Sequence, residues 1–356
     1  MTDRNARKTM KALVLVADGV LDYREVPFPP KPGDEWILVR MAYAGLCGSD
    51  IPRAFGGRAY HYPLIMGHEL SGTVEESFGG APFAAGDRVV VYPLLPCRRC
   101  AACQTGDFAQ CEDYDYFGSR RDGGFAEFLC VPESNLLPVP EGLDLSAAAM
   151  TEPCAVALHG ANKLHVRPGD TAAVFGGGPI GTMVAQWLRI RGCERVFIVE
   201  IEAKKIATAR EMGFLTIDAT ESDPVQTLRQ ATDGWGADRV VEACGTPATF
   251  LQAVRSAARF AEVVFLGNIQ GEFRIGEKDF SNILRKELVI YGTWNSRFAP
   301  SGRDDWSVSL RHLGRQIHAA PLISHVVDLA DAKAALQDVA NGRFGFYNKI
   351  VFKISG

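Results

Sequence analysis

Four cysteines, Cys97, Cys100, Cys103 and Cys111, fall within fifteen residues in the stretch PCRRCAACQTGDFAQC. Thiolates that close together can all meet one tetrahedral ion, so the spacing predicts a closed structural zinc lobe. What flanks the lobe narrows the chain further. Cys47 and a Gly67-His68-Glu69 triplet lie upstream, and a glycine-rich segment opens at Gly176 between an apolar run and a helical pattern.

A chain of 356 residues with 47% hydrophobic content can bury a large core and divides most naturally into two domains. Its 38 basic and 42 acidic residues leave a net charge of -4, with no basic stripe to neutralise a phosphate backbone, which argues against nucleic acid as a partner. The N-terminal stretch MTDRNARKTMKALVLV has no sustained apolar run with a small-residue cleavage site, and nothing downstream approaches about eighteen uninterrupted apolar residues. The expectation is a soluble cytoplasmic protein without a membrane partner. Nine cysteines, an odd number, fit metal ligation in a reducing compartment better than disulfides. Cys130, Cys154, Cys193 and Cys244 then read as small buried side chains.

To about residue 158 the chain carries short β-like runs (WILVRMAYA, DRVVVYPLL, FAEFLCV) punctuated by Gly and Pro, an all-β pattern. From about residue 171 strands and helices alternate: TAAVFG, PIGTMVAQWLRIRG, RVFIVE, AKKIATAREMG, FLTID, then strand candidates DRVVEA, AEVVFLG and ELVIYG. That alternation builds a doubly wound parallel sheet. After about residue 296 the pattern is irregular, with one helix, DLADAKAALQDVANG, and a closing strand, KIVFKI. The expected division is 1–158, 159–295 and a C-terminal return, 296–356.

The strand TAAVFG runs into Gly176-Gly177-Gly178-Pro179-Ile180-Gly181, so Gly176, Gly178 and Gly181 hold the three glycine positions of GxGxxG. The first permits a tight turn, the second lets backbone approach a pyrophosphate, and the third lets helix pack on strand. The helix N-terminus offers unpaired N–H groups to the phosphates. A match to GxGxxG alone is weak in a chain with 36 glycines. Here a strand precedes it, a helix follows, and the next strand ends in Glu200, 24 positions after Gly176. A carboxylate there accepts from ribose hydroxyls and repels a 2'-phosphate, which favours NAD, although Lys204 and Lys205 stand close by. The cofactor candidates are Gly176, Gly178, Pro179, Ile180, Gly181, Glu200 and Lys205.

Cys47 and His68 are ligand types that zinc accepts, and Glu69 and Glu152 (in MTEPCAVALHG) could add oxygen. Singly, each reads as an ordinary core or polar residue. In order along the chain, GLCGSD, GHE, the four-cysteine lobe, EP...LHG and GGGPIG resemble the zinc-dependent medium-chain alcohol and polyol dehydrogenases over essentially the whole length. The stretches YPLIMGHELSG, YFGSRRDGGFAEF and ILRKEL carry the resemblance toward polyol phosphate enzymes of that family. It implies an α/β fold: a GroES-like β-rich catalytic domain plus a Rossmann doubly wound parallel-sheet domain. It implies catalytic zinc at Cys47, His68 and Glu152, with Glu69 as ligand or beside the metal, structural zinc at the four cysteines, Ser49 as first proton carrier, and hydride transfer from a secondary alcohol to NAD. A homodimer or homotetramer is also implied, through an exposed strand edge.

Two positions depart from the family pattern. Pro52 stands where many alcohol dehydrogenases carry a histidine, so a relay from Ser49 cannot end in the usual way. Phe78 stands where a small residue follows GHE. The substrate is open between a polyol and a polyol phosphate: Arg53, Arg58, Arg120, Arg121 and Arg297 supply forks that match phosphate oxygens. A free hexitol dehydrogenase and a threonine- or alcohol-type enzyme share every metal motif. A zinc-ribbon module that contacts nucleic acid would instead show two CxxC knuckles in a basic domain.

Overall fold

A computed structural model describes residues 8–77, 82–299 and 303–355; Phe78 lies outside the described residues. The chain divides into two compact units. The first comprises Met1–Glu152, Arg297–Gly314 and Ile323–Gly356, and the second comprises Pro153–Ser296 and Arg315–Leu322. Among the described residues, no helix is long and apolar enough to cross a membrane.

In the first unit the strand Trp36–Gly45 is the hub. It pairs antiparallel with Glu69–Glu76, Phe128–Pro132 and Lys349–Lys353. Its sequence, WILVRMAYAG, is nearly all apolar because both faces are covered, so the alternation that marks a one-sided strand is lost. A three-stranded sheet places Thr9–Ala17 between Val20–Pro27 and Leu64–Ile65. Leu13, Leu15, Ile37, Leu38, Met41, Phe125 and Phe352 are almost completely buried in the shared core. Phe352 meets Phe125 edge to face at 5.0 Å, so the closing strand contributes to a core begun three hundred residues earlier.

The region after residue 296 holds more regular structure than its sequence suggests. A helix, Asp305–His312, is capped by Asp304, which accepts from Ser307 N at 2.9 Å, and a strand, Ile323–Asp328, pairs parallel with Lys349–Lys353. The helix DWSVSLRH is short and polar, and buries only Trp306 and Leu310 among its large apolar side chains. Trp306 and Phe298 both pack on Tyr92, at 5.2 Å and 4.2 Å between ring centroids. Contacts from distant sequence stabilise this helix, and no local periodicity announces them.

The second unit is a six-stranded parallel sheet in the order Leu215–Asp218, Arg195–Glu200, Thr171–Phe175, Ala237–Glu242, Ala257–Phe265, Val289–Gly292. The central strand TAAVF is buried at every position, as expected where helices cover both faces. Strand order reverses between Thr171–Phe175 and Ala237–Glu242, and the crevice at such a switch point is where doubly wound sheets bind ligands.

Candidate active site

The strand Trp36–Gly45 delivers Leu46-Cys47-Gly48-Ser49 to the start of the helix Asp50–Phe55. Asp50 is fully buried. Its Oδ2 accepts from Cys47 N at 3.1 Å, its Oδ1 pairs with Arg53, and it lies 3.7 Å from His68 Nδ1. One carboxylate therefore fixes the turn of one candidate ligand and stands beside the ring of the other.

His68 sits on a turn that only glycine permits. Gly67 has φ +96°, and a Cβ there would fall 2.4 Å from the Phe125 ring. The loop GSRRDGG braces the same turn: a Cβ on Gly118 or Gly123 would fall 2.3 Å or 2.2 Å from Gly67 O, and Gly124 N donates to that oxygen at 3.0 Å. Asp122 accepts from Ile65 N at 2.8 Å. The motif's glycines and aspartate thus serve the geometry of His68.

Cys47, His68 and Glu69 present ligand atoms within 4.8 Å of one another. Glu152 stands outside that trio, buried at the start of the helix Thr151–Asn162, with Tyr116 Oη 3.5 Å from its Oε1. Glu69 is paired with Lys349, which also donates to Leu46 O at 2.8 Å. Burial pushes the Glu152 carboxyl up to about 8. Burial pushes the Cys47 thiol up to about 11, with the nearby Glu69 and Asp50 charges adding to it. Among these groups Arg53 pairs with Asp50 and Lys349 with Glu69, and His68 Nδ1 is buried without a hydrogen-bond partner among the described residues. That donor set fits a divalent cation, which would favour the charged forms of Glu152 and Cys47 that burial disfavours. Ser49 is exposed and donates to Cys47 Sγ at 3.2 Å.

Asp50, Tyr116 and Lys349 were not among the sequence candidates. Asp50 follows GLCGS directly and was within reach of sequence reading. Tyr116, whose ring meets His68 edge to face at 5.8 Å, and Lys349, 280 positions from Glu69, carry no local signal.

The arginines offered for phosphate differ in their partners. Arg53 is spent on Asp50, and Arg121 pairs with Asp115 at 3.1 Å, so neither holds a free charge. Arg120 is stacked on the rings of Tyr114 and Tyr60, 4.0 Å and 4.7 Å from their centroids. The backbone N of Arg297 donates to Asp305 at 2.7 Å; Arg58 is exposed.

In the lobe, the four cysteine sulfurs lie within 4.8 Å of one another, with Cys97–Cys103 and Cys100–Cys111 at 3.9 Å. Arg98 takes φ +58°, which turns the backbone N–H groups of Arg99 and Cys100 toward Cys97 and draws its thiol down to about 6. Cys103 is held at about 12 by burial. Four sulfurs converging with N–H donors aimed at them are compatible with a structural zinc. Of the remaining cysteines, Cys130, Cys154 and Cys193 are buried as expected, but Cys244 is exposed, because it lies on the loop after Ala237–Glu242 at the open end of the sheet.

In the second unit the three glycines differ in their surroundings. Gly176 takes φ +107°, and a Cβ on Gly181 would fall 2.0 Å from Gly176 O, so helix and strand touch there. A Cβ on Gly178 would meet nothing within 4 Å, which leaves a cradle at the N-terminus of the helix Pro179–Ile190. That space fits a pyrophosphate, with Pro179 and Ile180 in the first turn. Glu200 Oε2 accepts from Gly177 N at 2.7 Å, and its Oε1 accepts from Ile201 N at 2.7 Å, so it anchors the glycine loop. Lys205 lies on the helix Ala203–Glu211.

Two family models match the chain: the alcohol dehydrogenase GroES-like domain over residues 33–141 and the zinc-binding dehydrogenase over residues 179–314. The chain belongs to the zinc-dependent medium-chain alcohol and polyol dehydrogenases, oxidoreductases that act on CH–OH groups through a GroES-like domain and a Rossmann domain. It is similar to galactitol 1-phosphate 5-dehydrogenase of Escherichia coli (strain K12), 32% identical over 93% of this chain and 96% of that one. The crystal structure of galactitol-1-phosphate dehydrogenase from Escherichia coli matches with a TM-score of 0.89 at 32% identity, covering 97% of this chain and all of the other. Sorbitol dehydrogenase of Halalkalibacterium halodurans is 30% identical over 94% of this chain and 97% of its own. A protein from Sinorhizobium meliloti 1021, described as a zinc-binding dehydrogenase and solved bound to NADP, matches with a TM-score of 0.89 at 30% identity, covering 98% of this chain and all of the other.

Proposed function

We propose that the chain oxidises a secondary hydroxyl of a hexitol or hexitol phosphate to the ketone with NAD. The observation that carries this reading is the convergence of Cys47, His68 and Glu69 within 4.8 Å beside the buried Glu152. Cys47, His68 and a glutamate, Glu152 or Glu69, would hold a catalytic zinc, and Cys97, Cys100, Cys103 and Cys111 a structural one. A zinc ion bound at the first site supplies Lewis acidity that lowers the pKa of the substrate hydroxyl, and a bound nicotinamide supplies the hydride acceptor.

The chain's own residues do the rest. Asp50 orients Cys47 and His68; Lys349 holds Glu69. Ser49, exposed beside Cys47, takes the hydroxyl proton, and because Pro52 offers no basic side-chain nitrogen to receive it, Ser49 passes it to water. Gly176, Gly178 and Gly181 seat the dinucleotide, and Glu200 favours NAD by its charge at the ribose end.

The relatives named for galactitol 1-phosphate and for sorbitol support a polyol substrate, with or without a phosphate. A homo-oligomer is favoured by the edge strand Val289–Gly292, near which Phe280, Leu284, Val289 and Trp294 are exposed. The nine free cysteines suit the reducing cytoplasm.

Reduction of NAD by the zinc-loaded protein across hexitols and their 1-phosphates tests the reading. His68→Ala should lower kcat by at least about 10³-fold while nucleotide affinity holds, since the glycine loop belongs to the other unit. Failure to oxidise any polyol with either nucleotide rejects it.

A further inference from the structure

Arg120 differs from Arg53 and Arg121 in its surroundings. Arg53 and Arg121 each face a carboxylate, whereas the neighbours of Arg120 are neutral: its Nη1 donates to Tyr114 O at 2.8 Å and its Nη2 lies 3.4 Å from Tyr60 Oη. Tyr114 and Tyr60 cover its guanidinium at 4.0 Å and 4.7 Å from their ring centroids. His61 Nε2, 3.1 Å from Arg120 O, ties the loop that carries Tyr60 to the arginine's own backbone. A cation held between rings with one nitrogen fixed on a carbonyl loses little freedom on binding, and among the described residues no carboxylate pairs with it.

Its position links it to the reacting end. The His68 and Tyr116 rings meet at 5.8 Å, Tyr116 and Tyr114 at 6.2 Å, and Tyr114 carries Arg120 on its face. The wall from the candidate metal ligands to Arg120 is thus two tyrosines long, with Tyr116 Oη also 3.5 Å from Glu152.

We propose that Arg120, clamped between Tyr60 and Tyr114, is the anion subsite of this centre, and that it takes the charged terminus, phosphate or carboxylate, of a polyol-type substrate whose hydroxyl reacts beside His68. The inference rests on the dehydrogenase reading above and specifies its substrate class. Arg120 is on this account a specificity-determining residue, distinct from the groups that meet the reacting atoms.

The test compares the zinc-loaded wild-type enzyme with Arg120→Gln and Arg120→Lys on a hexitol, its 1-phosphate and the corresponding hexonate. The wild type should prefer one anionic substrate over the free hexitol by about 100-fold or more in kcat/KM, and which one identifies the source of the anion. Arg120→Gln should cut that preference ratio at least tenfold, mostly through KM, and Arg120→Lys should restore part of it. No anionic preference in the wild type, or an unchanged ratio in Arg120→Gln, overturns the subsite. If no polyol is oxidised at all, the dehydrogenase reading fails separately. Calorimetric titration with the hexitol 1-phosphate and the hexonate then decides: binding of either that is lost in Arg120→Gln supports the subsite, and equal binding or no binding in the wild type refutes it.

Discussion

Lys349 Nζ, on the last strand of the chain, donates to the Glu69 carboxylate at 2.6 Å across 280 positions of sequence. Both side chains are almost wholly buried, so each neutralises a charge that the interior would not otherwise tolerate. Lys349→Met would leave Glu69 buried and unpaired, and should cost about 3–5 kcal/mol of stability in chemical denaturation. A variant as stable as the wild type would show that Glu69 finds another partner.

The zinc lobe makes a second expectation. Cys103 is the most enclosed of its four sulfurs along with Cys111, so Cys103→Ser should release about one metal ion per chain and lower the melting temperature, because structural sites contribute folding energy. Elemental analysis beside a thermal melt reads both. Unchanged zinc content and melting temperature would argue that the four thiols hold no ion.

Cofactor choice turns on Glu200. Glu200→Gln keeps an acceptor for Gly177 N but removes the charge, so NAD affinity should fall by about tenfold and discrimination against NADP should relax. Dissociation constants for both nucleotides check this. A wild-type protein that prefers NADP contradicts the assignment.

At the other end of the parallel sheet, Glu262 accepts from His165 N at 2.6 Å, lies 2.6 Å from His165 Nδ1 and 3.6 Å from Arg239 Nε. Burial opposes the charged form of Glu262, but the His165 hydrogen bonds and Arg239 outweigh it and hold the carboxyl below its usual range. A carboxyl depressed in the folded state contributes stability that is present above its unfolded pKa, about 4.3, and is lost as pH falls through the folded value. Glu262→Gln should therefore cost about 1–3 kcal/mol near neutral pH and flatten the acid limb of the stability profile below about pH 4.3. An acid limb identical to the wild type's would remove Glu262 from its causes.

The residues legible in the sequence were those whose role is local. Cysteine spacing, the strand that runs into Gly176-Gly177-Gly178 and the alternation of strands with helices are set by backbone geometry within a few residues, so chain order alone determines them. His68 and Cys47 were legible for the same reason, since Gly67 and the turn after Gly45 are written beside them. Only the tertiary structure decided which charges are free and which are spent. Asp50 consumes Arg53, Asp115 consumes Arg121, and Arg120 is left with tyrosines. Lys349 reaches Glu69 because Lys349–Lys353 pairs with Trp36–Gly45, and the helix Asp305–His312 forms because its Trp306 meets Tyr92. Electrostatic and packing energies depend on distance in space, and residues hundreds of positions apart become neighbours only when the sheets close.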